Sequence, residues 1–475
     1  MFDSIDSRVA DNLSDRAEEW GLTDAQAVDL VILAFQHTAE GGCVCPGCLR
    51  SETAIDDGTI AQVNPNGLLD TIDWGGPDNA VDSGDYQADG TMVIEYYFVP
   101  GGGYYQGIFP RQDWTDYEKQ QVDLAFGTYE AVIDVEFVET DVRSDAEFEL
   151  NKINSFGLFL GVMNPPGEIA EGSAGFWGSA NSPYWDSGDG AGGPTGGELE
   201  QGGFGFVTLV HEFGHGLGLA HPHDTGGGSS VMPGVSDPYT DTGDYDLNQG
   251  IYTTMSYIDG WATNPDGPPP DFSYGYQGTP MALDIAVLQQ KYGANMDYNT
   301  GGDVYQLPET NEIGTFYSCI WDAGGTDTIA YRGSADVVID LRPATLEFEE
   351  GGGGWLSYAT GIHGGFTIAN GVMIENATGG SGNDALVENA GDNVLTGNGG
   401  MDTFIFTPDG GGDDIIADFE DGSDLVDVSA YGFIPRAAVT ATWDAGGTTL
   451  EAGGESILFD GTRPSELGLD DFILA

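Results

Sequence analysis

Four of the six histidines of this 475-residue chain lie close together, as His211, His215, His221 and His223. His211 and His215 are four residues apart, so on a helix both project from one face and can share a single cation. Glu212, next to the first of them, can reach a metal-activated water as general base without itself ligating. His221 comes six residues after His215 and on a straight helix would sit about 9 Å further along the axis. The helix must therefore stop between them. Gly218 is where it can stop, since glycine adopts the left-handed conformation that ends helices without a Cβ clash, and Pro222 prevents resumption. Three neutral imidazoles with an open fourth position describe a catalytic zinc rather than a closed structural one.

A different cation chemistry is written further along. Gly379-Gly380-Ser381-Gly382-Asn383-Asp384-Ala385-Leu386-Val387 fits the nonapeptide G-G-x-G-x-D-x-U-x, and two more nine-residue units follow, to Ile405. The apolar position recurs as Leu386, Leu395 and Phe404. In a parallel β-roll of this kind six residues turn and three form a short strand. The turn carbonyls and a carboxylate then build an oxygen shell suited to Ca²⁺. Gly379, Ser381 and Asp384, then Gly397, Gly399 and Asp402, are the candidate ligands, with Asn393 weakening the middle unit.

The eleven residues from His211 to His221 fit H-E-x-x-H-x-x-G-x-x-H and are similar to the zinc motif of the metzincin proteases. Tyr252-Thr253-Thr254-Met255-Ser256-Tyr257, with its Met 34 residues after His221, resembles the Met-turn of one metzincin family, the serralysins. That resemblance implies that Met255 is an apolar floor beneath the zinc ligands. It also implies that Tyr257 is a displaceable extra ligand able to support an oxyanion. Trp321-Asp322-Ala323-Gly324-Gly325-Thr326-Asp327 resembles the opening of the serralysin C-terminal domain, which makes Asp322, Gly324 and Asp327 further calcium candidates. The likeness extends over roughly residues 90 to 475 and is strongest from His211 to Phe406. It implies an α/β zincin-like (metzincin) catalytic domain followed by an all-β parallel β-roll/β-sandwich domain. It also implies a monomeric zinc endopeptidase acting on proteins, secreted to the extracellular space by type I secretion machinery. The end from Leu469 to Ala475 resembles the acidic and apolar terminus of such exported proteins.

The elements that must position these residues are legible in part. Met92 to Phe98 alternates as a strand, Thr115 to Val132 reads as a helix with Tyr117, Val122, Leu124, Ala125 and Tyr129 inward, and Val135 to Val138 is a second strand. Phe204 to Leu219 is predicted to be the zinc helix. Met281 to Tyr292 is another helix, with Leu283, Ile285, Ala286 and Leu288 apolar. After Gly293 only short β-type runs remain. This divides the chain into an N-terminal helical segment (1–50), a catalytic domain (51–295) and a calcium-binding domain (296–475).

With 78 acidic against 12 basic residues the net charge is −66, which excludes nucleic-acid and anionic-membrane binding as the default. Such a surface suits a high-salt setting, where screening is strong. The 76 glycines are about twice the usual share of roughly 7% and point to many tight turns. The N-terminus has neither the basic nor the apolar region of a secretory signal peptide. Cys43, Cys45 and Cys48 form a cluster that serralysins lack; a local disulfide or metal clip is one reading, a thiolate latch on the zinc of a zymogen another. The alternative function is a calcium-binding secretion or adhesion protein with an inactive protease-like half. His223 is expected to be a surface neighbour of the site rather than a ligand.

Overall fold

The computed structural model describes residues 67–178, 182–186, 196–408, 410–432, 440–444, 446–452 and 455–474. The expected N-terminal helix, the Cys43–Cys48 cluster and most of the glycine-rich stretch before the zinc helix lie outside them.

The described residues of the first half form a seven-stranded sheet with three α-helices and three short 3₁₀ helices. Its strands are β1 (Met92–Phe98), β2 (Tyr104–Tyr105), β3 (Phe109–Gln112), β4 (Val135–Glu139), β5 (Phe148–Ile153), β6 (Gly161–Met163) and β7 (Ser173–Trp177). β4, β1, β5 and β7 pair in parallel, whereas β6 runs antiparallel to β7. Among the described residues β6 has no other strand partner. Helix α1 (Asp116–Glu130) starts from a capping box in which Thr115 and Glu118 satisfy each other's backbone N–H. Its buried side runs through Val122, Ala125, Phe126 and Tyr129. Leu124, expected inside, is 42% exposed, because the 3.6-residue period that buries Val122 and Phe126 turns it to solvent.

Helix α2 (Phe204–Gly216) carries the first two histidines and helix α3 (Ala282–Tyr292) closes this half. On α3, Leu283, Ile285 and Leu288 are buried as expected, while Ala286 is half-buried. Lys291 of α3 is sealed inside. Its Nζ pairs with Asp73 at 2.6 Å and donates to the carbonyls of Trp74, Gly76 and Asn79. This anchors the segment that runs beside the loop from Leu217 to His221, where Trp74 N–H donates to Gly218 O and Ala220 N–H to Ile72 O. Lys291→Met strands the Asp73 charge and is expected to cost roughly 3–5 kcal/mol, read as a lower unfolding midpoint. An unchanged midpoint would show the anchor to be dispensable.

The described residues of the second half, from Val304, form strands and short turns of 3₁₀ helix, in two eight-stranded, mainly parallel sheets. The three repeats form the strands Ala385–Val387, Val394–Thr396 and Thr403–Ile405. The outer two pair with each other, and the middle one joins the opposite sheet. Leu386, Leu395 and Phe404 are fully buried, so successive units fill one core from alternate sides. That core is continuous with the first half, joining Leu283 and Leu288 to Ile320 and Ile368. No helix among the described residues is long and apolar enough to cross a membrane.

Candidate active site

Phe213 lies between the functional residues of α2 and faces away from them, stacking on Phe126 of α1 at 4.1 Å and fixing the rotation of the helix. His215 and Glu212 are thereby buried and His211 half-buried. A Cβ on Gly214 would come 2.9 Å from Met255 Sδ, so Met255, fully buried, packs directly on the helix between the two histidines. α2 ends at Gly216, three residues earlier than its apolar run suggests, and Gly218 takes φ +94. There Leu219 N–H donates back to Gly214 O at 2.8 Å, and the chain reverses to return His221 to the helix.

The three rings converge. Nε2 of His221 lies 3.2 Å from Nε2 of His211 and 2.9 Å from Nε2 of His215. Nδ1 of His211 donates to Thr254 O at 2.7 Å and Nδ1 of His215 to Leu219 O at 2.9 Å, since a carbonyl can only accept. Nδ1 of His221 faces Asp224 at 3.0 Å. The other oxygen of the Asp224 carboxylate accepts from Gly226 N–H at 2.8 Å, so Asp224 too is an acceptor. Each Nε2 is left with a lone pair, and three lone pairs so close are unfavourable unless a cation stands between them. Tetrahedral zinc with Zn–N near 2.0–2.1 Å separates its nitrogens by about 3.3 Å, so the residues fit zinc.

A support for this arrangement was not legible in the sequence. The buried carboxylate of Asp284 on α3 accepts from Thr253 Oγ1, Thr254 N–H, Thr254 Oγ1 and Met281 N–H, at 2.6 to 2.9 Å. It thus clamps the turn whose carbonyl orients His211. Tyr257 stands beside the cluster, its ring 4.8 Å from that of His221. His223, expected at the surface, is packed instead. Its side chain is 5% exposed, its ring stacks on His221 at 4.8 Å and its centroid lies 4.4 Å from that of Tyr257.

Glu212 is covered by the start of β6. A Cβ on Gly161 would fall 2.5 Å from Glu212 Cγ and 2.6 Å from its Oε1. Gly161→Ala must displace this carboxylate. For a Glu212 that serves as general base at a zinc site, the expected result is a kcat at least ~10-fold lower with unchanged zinc content, because a misplaced base loses its reach. Zinc loss in this variant would mean that Gly161 supports the histidines instead. The cleft beside Glu212 has a volume of about 330 Å³ and runs between α2 and the segment that follows Tyr257.

The calcium candidates fall in two places. Asp322 and Asp327 converge with Asp303, which the sequence reading missed, their oxygens within 4.8 Å of one another. Asp303 follows Gly301-Gly302, a small echo of the repeats that could have exposed it. Asp327 is fully buried and its Oδ2 has no hydrogen-bond partner, while Gly324 N–H donates to Asp322 at 2.8 Å. An all-oxygen set with an unsatisfied buried carboxylate oxygen fits a hard cation such as Ca²⁺. In the repeats, Asp384 accepts from Gly380 and Val337 N–H, and Asp402 accepts from Asp384 N–H. Gly379 and Gly397 leave room for those carboxylates, since a Cβ on either would meet an aspartate oxygen at 2.3 Å. Ser381 is exposed and bonds Gly333 O, and Gly399 N–H reaches Gly380 O. Asn393 in the middle unit turns its amide onto Asn389 and Glu375 O.

Residues 288–442 match the family described as Peptidase M10 serralysin C terminal. The chain is 31% identical to Serralysin of Proteus mirabilis, over 60% of this chain and 56% of that protein. It is 38% identical to Serralysin C of Dickeya chrysanthemi over 39% and 36%, respectively. It is also 30% identical to Metalloprotease AprA of Pseudomonas entomophila over 66% and 62%. The chain therefore spans less than two thirds of the length of each of these relatives.

Proposed function

We propose, from a chain that is a relative of the serralysins and carries their C-terminal domain, that this protein is a secreted zinc-dependent endopeptidase with a calcium-holding β-roll. The observation that carries the reading is the convergence of three Nε2 lone pairs beside a buried Glu212, with each Nδ1 already committed to an acceptor. On this reading residues 51–295 form a zincin-like, metzincin catalytic domain and 296–475 the calcium-binding domain, with residues 1–50 a removable segment. Action outside the cell and passage through type I secretion machinery belong to the same proposal.

Zinc, held by His211, His215 and His221, would supply a Lewis acid for the scissile carbonyl and lower the pKa of water. The chain's own residues do the rest. Glu212 accepts the proton of the attacking water at its carboxylate and delivers it to the departing amine. On this reading Tyr257, whose ring lies 4.8 Å from that of His221, donates to the developing oxyanion. The unpaired edge of β6 above Glu212 can receive an extended substrate as an added strand. Met255 and Asp284 hold the floor, and Asp224 holds His221. Asp303, Asp322 and Asp327, with the turns of Asp384 and Asp402, would hold Ca²⁺.

Hydrolysis of casein in Ca²⁺ and salt tests the reading, comparing the purified chain with Glu212→Ala and with protein treated with 1,10-phenanthroline. Activity lost in both controls supports it. An inert wild type, even after removal of residues 1 to about 50, would turn the reading to a calcium-binding module with an inactive protease-like half.

A further inference from the structure

The cleft beside α2 is lined by a carboxylate that the proposed reaction does not use. Phe204, Val207, Leu158 and Phe159 make much of the cavity apolar, and Asp259 stands among them on the segment just after Tyr257. Asp259 is half-buried. Its one hydrogen bond, from Gln277 Nε2, is stretched to 3.5 Å, and the other end of that amide is taken by Gly260 N–H at 2.8 Å. No Lys or Arg among the described residues pairs with Asp259, and the titratable group that feels it from the packed neighbours is the Tyr276 phenol.

A carboxylate set in an apolar wall without a cation is costly to the protein that keeps it. A substrate side chain ending in a cation removes that cost on binding, whereas an acidic one adds to it. His211 and Glu212 line the same cavity, so the side chain that fills it belongs to a residue next to the bond being cut. We propose that Asp259 makes the cleft selective for a lysine or arginine side chain flanking the scissile bond. The proposal rests on the endopeptidase reading and assigns its substrate class.

The test is a set of quenched fluorescent peptides differing only at the two residues around the scissile bond, carrying arginine, lysine, citrulline, leucine or glutamate, assayed at pH 8.5. Citrulline keeps the shape of arginine without its charge. The wild type is expected to cut the best-placed arginine peptide with kcat/KM roughly 10-fold or more above its citrulline twin. Asp259→Asn and Asp259→Ser should erase that ratio while still cutting the leucine peptide, which reports that they are folded. Equal cleavage of arginine and citrulline peptides by the wild type, or an arginine preference that survives in both variants, overturns the proposal and leaves the endopeptidase reading standing. Failure of the wild type to cut any peptide overturns both.

Discussion

Glu212→Gln is expected to lower casein hydrolysis by roughly 10²–10⁴-fold, the span a positioned general base contributes, with zinc content and unfolding midpoint unchanged. The argument is geometric. Glu212 is 5% exposed and lies beneath Gly161, but it is not one of the three side chains whose ring nitrogens converge. Glutamine has the same shape and fills the same space, yet it cannot accept a proton at that atom. The loss should therefore appear in kcat more than in KM, since substrate contacts along β6 are untouched. His221→Ala gives the opposite pattern, with zinc lost and activity lost together, because it removes the ring within 2.9 and 3.2 Å of the other two. If Glu212→Gln also shed zinc, or retained near-normal turnover, the proton-transfer role would be wrong.

What the sequence made legible was local. His211, Glu212, His215, Gly218 and His221 sit on one helix and one turn, so spacing alone predicts that the rings can meet. The structure adds the distances. The repeats were legible for the same reason: a nine-residue period places Leu386, Leu395 and Phe404 in equivalent positions, and all three are buried. What was missed depends on chain segments brought together by folding. Asp284 acts on Thr254 from 30 residues away, and Gly161 covers Glu212 from another element altogether. Nothing in a one-dimensional pattern marks such pairs. Leu124 shows the complementary error, in which residue type suggests a location that the helix period overrides, and the ring contacts of His223 with His221 and Tyr257 likewise depend on folding.

Removing Ca²⁺ with EGTA is expected to lower the unfolding midpoint of the C-terminal half and to reverse its dependence on pH. Burial, opposed by the Asp384 N–H hydrogen bond and aided by the neighbouring Asp384, Asp424 and Asp418 charges, pushes the Asp402 carboxyl up to about 6. Burial likewise raises Asp384, Asp424 and Asp327 above the usual carboxylate range. A metal-free folded chain therefore binds these protons more tightly than the unfolded chain does. The resulting stability is fully present below the unfolded value of about 4 and is lost as pH rises through the folded value of about 6. In EGTA the midpoint should fall between about pH 4 and 6 and level off above that. Calcium requires the same carboxylates to be deprotonated, so its contribution grows over that interval. At 100 times its dissociation constant each ion adds about 2.7 kcal/mol. The two midpoint curves should consequently diverge as pH rises, and Asp327→Ala, which also deletes one of the raised carboxyls, should narrow the gap between them by one increment. Parallel curves in calcium and EGTA would mean that these buried carboxylates close turns without holding a cation.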